Sequence, residues 1–129
     1  MDLPLNIADP IYQTIRDVVF WIEADLSRTL TSKIIADRAG YTRWHLQRAF
    51  KRITGYTLMQ YIRARRMTTA AQLLKSTNLK ISKIYTQVGY EDGPTFSRPF
   101  RAHFGVTPQT LRKSDDNFQH RMVEQLVFD

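Results

Sequence analysis

Apolar residues recur at spacings of three and four along nearly the whole chain, the period of helices that bury one face. Ile11, Ile15, Val18, Val19, Ile22 and Leu26 predict a first helix over residues 10–26, with Pro10 in its first turn and Asp9 as its cap. A second helix, over 31–39, is capped by Thr31 or Ser32 and stopped by Gly40. A third covers 42–54 and ends at Gly55. A long helix over 57–76 carries the stripe Met67, Ala70, Ala71 and Leu74. After a break at Asn78 and Leu79, a short helix over 82–88 ends at Gly89. Asp92 caps a sixth that reaches Phe104 and stops at Gly105, and Thr107 and Pro108 open a last short one. No stretch alternates as a strand does. The pattern predicts an all-α chain of about seven helices. The tail from Ser114, polar and then mildly apolar, is left without an element.

An internal repeat organises these helices. Residues 34–41 (Ile-Ile-Ala-Asp-Arg-Ala-Gly-Tyr) match residues 83–90 (Lys-Ile-Tyr-Thr-Gln-Val-Gly-Tyr). Leu46, Arg48, Phe50 and Lys51 then match Phe96, Arg98, Phe100 and Arg101, with one inserted residue in the turn. Gly55 and Thr57 match Gly105 and Thr107. Each half reads short helix, Gly-aromatic turn, basic amphipathic helix, Gly stop, which is the helix-turn-helix plan.

Charge changes the picture from a fold to a partner. The net charge is +7, but it is unevenly spread. Residues 1–39 hold four basic and six acidic residues, residues 40–113 fourteen and two, and residues 114–129 one and four. Between Asp37 and Glu91 lie eleven Lys or Arg and no acid. Such a one-signed field points to a polyanion. With no Cys, disulfides and thiolate metal sites are excluded. The stretch from Met1 to Pro10 lacks a basic-then-apolar targeting pattern, and no apolar run is long enough to span a membrane. The expectation is a soluble cytoplasmic protein working at the nucleoid.

The third helix carries the chemistry a reading helix needs. Leu46, Ala49, Phe50 and Ile53 form its buried stripe. Trp44, Gln47, Arg48 and Lys51 share another face. Arg donates two bonds to guanine, Gln gives and accepts with adenine, and an indole packs on thymine methyls. Lys51 and Arg52 neutralise phosphates. In the sixth helix Phe96, Phe100 and Phe104 face inward, while Thr95, Ser97, Arg98 and Arg101 lie off that stripe. Pro99 removes a backbone donor there and predicts a kink or a disturbed first turn. Arg63, Arg65 and Arg66 of the long helix either touch phosphate or pair within the fold. That helix spans about 30 Å, close to the about 34 Å between successive groove openings on one face of DNA. His45 is expected near the DNA face and His103 in a structural or surface role. No histidine pair has metal-ligand spacing, and no phosphate-cradling loop, nucleophile elbow or paired carboxylate exists. No enzyme activity, cofactor or metal is expected.

Residues 40–51, Gly-Tyr-Thr-Arg-Trp-His-Leu-Gln-Arg-Ala-Phe-Lys, resemble the first reading helix of the AraC/XylS transcription activators, most closely the small MarA–SoxS–Rob subgroup. Residues 61–67 (Tyr-Ile-Arg-Ala-Arg-Arg-Met) resemble that family's linker helix. Phe96-Ser97-Arg98 with Phe100, then residues 104–108 (Phe-Gly-Val-Thr-Pro), resemble its second signature. The resemblance covers residues 12–113. It implies two helix-turn-helix subdomains, 1–56 and 78–113, joined by a linker helix over 57–77; the tail over 114–129, without a clear counterpart from Phe118 on, is expected either to pack on the body or to bind a partner. It implies a monomer on an asymmetric double-stranded site. It implies activation through RNA polymerase, by the alpha C-terminal domain or the sigma factor, at stress and antibiotic-resistance genes. Base contacts would come from Trp44, Gln47 and Arg48 in the first half and from Thr95, Ser97 and Arg98 in the second. Phosphate contacts would come from Arg43, Lys51, Arg52, Arg63 and Arg101. The chain departs from the subgroup at Gly93-Pro94, where a Gln pair is usual, and at Pro99. With no room for a ligand-binding domain, control is expected through abundance. Two other readings stand beside this one: a nonspecific architectural DNA binder, and an anti-activator acting through protein contacts.

Overall fold

The computed structural model describes residues 9–128. Residues 1–8, which hold most of the stretch expected to lack a targeting pattern and the start of the first expected subdomain, lie outside the described residues, as does Asp129. The described residues form seven α-helices and no strand: α1 (Pro10–Ala24), α2 (Ser32–Ala39), α3 (Arg43–Thr54), α4 (Leu58–Ser76), α5 (Ile81–Gln87), α6 (Gly93–Phe104) and α7 (Pro108–Lys113). A single 3-10 turn follows at Gln119–Arg121.

Local chemistry sets most boundaries. Thr31, Thr42 and Thr107 each accept a hydrogen bond from the backbone N–H three residues on, which satisfies a first-turn donor of α2, α3 and α7. Thr57 and Gln60 cap α4 reciprocally: Gln60 N–H donates to the Thr57 hydroxyl, and Thr57 N–H to the Gln60 side-chain carbonyl. Asp9 occupies the N-cap of α1 but makes no side-chain cap bond, contrary to the expectation. Pro10 brings no N–H to the first turn and holds Asp9 extended at φ −64° and ψ 137°. Helix α1 stops two residues before Leu26, because Asp25 turns extended at φ −159°. Gly40 closes α2 at φ +79°, a left-handed conformation that glycine adopts without a Cβ penalty.

The helices form two compact units. The first comprises described residues 9–25, 30–62 and 125–128. In it α1 and α2 both contact α3. Ile15, Val18, Val19 and Ile22 of α1, Ile35 and Ala36 of α2, and Leu46, Ala49 and Phe50 of α3 are buried, with Ile53 half-buried. The buried Tyr61 hydroxyl donates to Glu23 at 2.9 Å and accepts from Leu126 N–H at 3.2 Å, so its one polar atom is satisfied.

The second unit comprises residues 26–29 and 63–124. Its core joins the α4 stripe Met67, Ala70, Ala71 and Leu74 to Ile84, Val88, the three Phe of α6 and Leu111. Successive rings Phe96–Phe100 and Phe100–Phe104 lie 5.4 and 4.8 Å apart between centroids. The chain thus divides inside α4, between Ile62 and Arg63, and the residues of the tail fall in both units.

The tail is ordered by polar contacts. Val123 N–H donates to the buried Thr68 hydroxyl at 2.9 Å, and the buried Arg65 guanidinium donates to the Val123 carbonyl at 2.7 Å. His103 Nε2 meets the Arg121 carbonyl at 2.7 Å, and Phe118 meets Phe104 edge-on.

Candidate nucleic-acid interface

Helix α3 separates its faces cleanly. Leu46, Ala49 and Phe50 are inside, and Arg43, Trp44, His45, Gln47, Arg48, Lys51 and Arg52 are exposed. Trp44 is 67% exposed, outside the buried stripe of Leu46, Ala49 and Phe50. A core role for Trp44 is therefore excluded. The Arg48 guanidinium lies over the Trp44 ring, 4.7 Å from its centroid. Gln47 Nε2 donates to the Ser32 hydroxyl of α2 at 3.1 Å. The Lys51 ammonium donates to the Gly55 carbonyl at 2.8 Å, at the C-terminal end of the helix. Trp44, His45, Gln47, Arg48, Lys51 and Arg52 line one open concavity of about 590 Å³. The helix carries four cations and no acid. Three expected base contacts and two expected phosphate contacts are thus brought together, with Arg43 in the first turn of the same helix. The His45 ring packs edge-on to Tyr41 of the turn, 4.9 Å between centroids.

Helix α6 runs unbroken through Pro99, and its first turn is intact. Asp92 accepts from Thr95 N–H at 2.9 Å, so the disturbed first turn expected from Pro99 does not occur. Proline has no N–H to offer the carbonyl four residues back, which belongs to exposed Thr95 in the first turn. The bond from the Thr95 N–H and a second from the Thr95 hydroxyl to the Asp92 carboxylate at 2.9 Å hold that carboxyl below its ordinary value of 3.8, against desolvation and with Arg98 adding to the lowering. The Thr95 hydroxyl is thereby engaged with the cap. Arg98 and Arg101 are exposed, while Ser97 is half-buried with its hydroxyl directed to the Pro94 carbonyl at 3.5 Å. Thr95 and Arg63 line one open concavity of about 540 Å³ with Tyr90, Pro99 and His103.

The three arginines of α4 take separate roles. Arg63 is exposed. Arg65 is 8% exposed and holds the tail. Arg66 donates to the carbonyls of Leu26 and Arg28 at 3.0 and 2.7 Å. Burial lowers the Arg66 pKa, against an opposing pull from Tyr90, whose own pKa burial raises against Arg66 and Arg63. Arg112 likewise donates to the Leu74 and Thr77 carbonyls at the end of α4. In the sequence these carbonyl anchors look like any other cation of a basic stretch. Ser32 gives no sign there of a link to Gln47 beyond its place beside a cap. Among the described residues no group of His, Cys, Asp and Glu could hold a metal ion. No helix of the described residues is long and apolar enough to cross a membrane.

Comparison with known proteins agrees with this geometry. A family model described as a helix-turn-helix domain matches residues 35–114. The multiple antibiotic resistance protein MarA of Escherichia coli K12 is 39% identical over 113 residues, covering 88% of this chain and 89% of MarA. The transcriptional activator AarP of Providencia stuartii is 38% identical over 109 residues, covering 84% and 81%. Among solved structures, the C-terminal domain of the response regulator AraT from Geobacillus stearothermophilus superposes with a TM-score of 0.75 at 28% identity, over 95% of each chain. An all-helical pair of helix-turn-helix units, one basic face and relatives of this kind agree, and the chain belongs to the AraC/XylS family of helix-turn-helix DNA-binding transcription regulators, in its MarA–SoxS–Rob-like subgroup.

Proposed function

We propose that this protein is a sequence-specific activator that binds double-stranded DNA as a monomer and reads bases from two successive major-groove turns. The observation that carries the reading is the exposed set Trp44, Gln47 and Arg48 on an acid-free helix. In the first half, Arg48 and Gln47 read purine edges and Trp44 packs on apolar base edges. In the second, residues 78–113, Arg98 reads bases with Thr95 and Ser97 beside it. Arg43, Lys51, Arg52, Arg63 and Arg101 neutralise phosphates. The targets are stress and antibiotic-resistance genes, antibiotic resistance being the role in the name of MarA, and activation runs through RNA polymerase, by the alpha C-terminal domain or the sigma factor. The protein acts in the cytoplasm, at the nucleoid, and carries out no reaction.

Selection from a random duplex pool at near-physiological salt tests this. A two-part asymmetric motif with half-sites about one helical turn apart is expected. An enriched single half-site would make the second unit a phosphate clamp, a reading that the cap-engaged Thr95 hydroxyl favours. Absence of any enriched motif would replace the proposal with an architectural or protein-binding role.

A further inference from the structure

We infer that Ser32 is a positioning residue that makes Gln47 selective for adenine over guanine. The inference rests on the base-reading role proposed for Gln47. Thr31 already caps α2, accepting from Ile34 N–H at 3.1 Å, so the neighbouring Ser32 hydroxyl is not spent on the helix end. Instead it accepts from Gln47 Nε2 at 3.1 Å, across fifteen residues of sequence. Ser32 is half-buried at the start of α2, and Gln47 is exposed on α3.

A glutamine amide offers two different edges. With its nitrogen toward Ser32, Oε1 and the second N–H face outward, and this pair matches the N6–H donor and N7 acceptor of adenine. Turned over, the amide presents two N–H groups, which match the two acceptors of guanine, O6 and N7. A hydroxyl alone does not choose between them, since it can donate or accept. In helix-turn-helix docking, however, the first helix of the pair crosses the sugar-phosphate backbone while the second enters the groove. A phosphate oxygen there takes the single Ser32 proton. The Ser32 oxygen can then only accept, which holds Gln47 in its adenine-reading orientation. One serine thus couples the backbone register to base choice.

The test compares the full chain with the variants Ser32→Ala, Ser32→Thr and Gln47→Ala on duplexes differing by adenine or guanine at each selected position. Thermal unfolding checks that each variant is folded. Gln47→Ala should flatten the preference at one position. At that position Ser32→Ala should reduce adenine-over-guanine discrimination by about fivefold, the scale of one net hydrogen bond. Other positions should stay unchanged, and Ser32→Thr, which keeps the hydroxyl, should retain the preference. If Ser32→Ala weakens adenine and guanine sites equally, the positioning role is wrong while the reading by Gln47 stands. If Gln47→Ala alters no position, base reading by Gln47 fails, and the role of Ser32 fails with it.

Discussion

The guanidinium of Arg48 rests on the exposed face of Trp44, 4.7 Å from the ring centroid. An arginine side chain loses considerable rotamer freedom when it must hold one geometry. Stacking on a neighbouring ring restricts it before DNA arrives and leaves the guanidinium edge free for a base. Arg48→Ala should therefore cost about 1–3 kcal/mol on the selected site and flatten preference at one or two positions. Trp44→Ala should reproduce part of that loss, and Trp44→Phe, which keeps a ring, less of it. Affinities on selected and scrambled duplexes decide the matter. Equal weakening of both by Arg48→Ala would rule out base reading by that residue.

Arg52 and Lys51 differ although both are exposed cations. Lys51 also bonds the Gly55 carbonyl at the end of α3. Arg52→Ala should weaken all sequences alike and reduce the slope of log affinity against log salt by about one. Lys51→Ala should do the same and in addition lower the unfolding temperature, since it removes a helix-end donor. Salt titrations with melting curves separate the two effects.

Arg66 and Gly89 are coupled by space. Gly89 sits at φ +95°, and a Cβ there would lie 2.9 Å from the Arg66 guanidinium nitrogen and 3.0 Å from the Leu26 carbonyl that Arg66 bonds. Gly89→Ala should lose about 1–2 kcal/mol from backbone conformation alone, and more from displacing Arg66. Arg66→Ala should lose about 1–3 kcal/mol because the Leu26 and Arg28 carbonyls forfeit their donor. The double variant should lose less than the sum, which urea unfolding would reveal.

Asp92 titrates below its ordinary value of 3.8 because the folded state donates two hydrogen bonds to its carboxylate. A lowered folded pKa stabilises the protein above the unfolded value. That stability is lost as pH falls through the folded value. The second unit should therefore lose stability on acidification below about pH 4. Asp92→Asn, which keeps a capping acceptor without a charge, should remove this component of the pH dependence. Melting temperature against pH for the two proteins measures it, and parallel curves would show that the cap bond carries no such linkage.

Thr68 and Val123 test the tail. Thr68→Val keeps the volume but removes the acceptor of the Val123 N–H, and should cost about 1 kcal/mol. DNA affinity should be unchanged, because Thr68 is fully buried and its hydroxyl is engaged with the Val123 N–H. A large loss of DNA affinity in a variant of near-normal stability would assign the tail a part in binding.

The helices, the doubled helix-turn-helix plan and the exposed basic face of α3 are all legible in the sequence. They are written in short-range pattern: apolar spacing, Thr and Asp caps, Gly stops, and a repeat that pairs Arg48 with Arg98. What individual polar groups do is settled by packing instead. Arg63, Arg65 and Arg66 are neighbours of one chemistry. Yet one faces solvent, one holds Val123, and one anchors the Leu26 and Arg28 carbonyls. Their fates depend on which backbone carbonyls arrive from residues 38 to 58 positions away, and no local pattern encodes that distance. The same holds for Ser32, which meets Gln47 only because α2 packs on α3, and for the tail, whose weak apolar pattern gains a place from Thr68 and Arg65. Periodicity records which face a helix buries. The partner of a hydrogen bond is set by the geometry of packing.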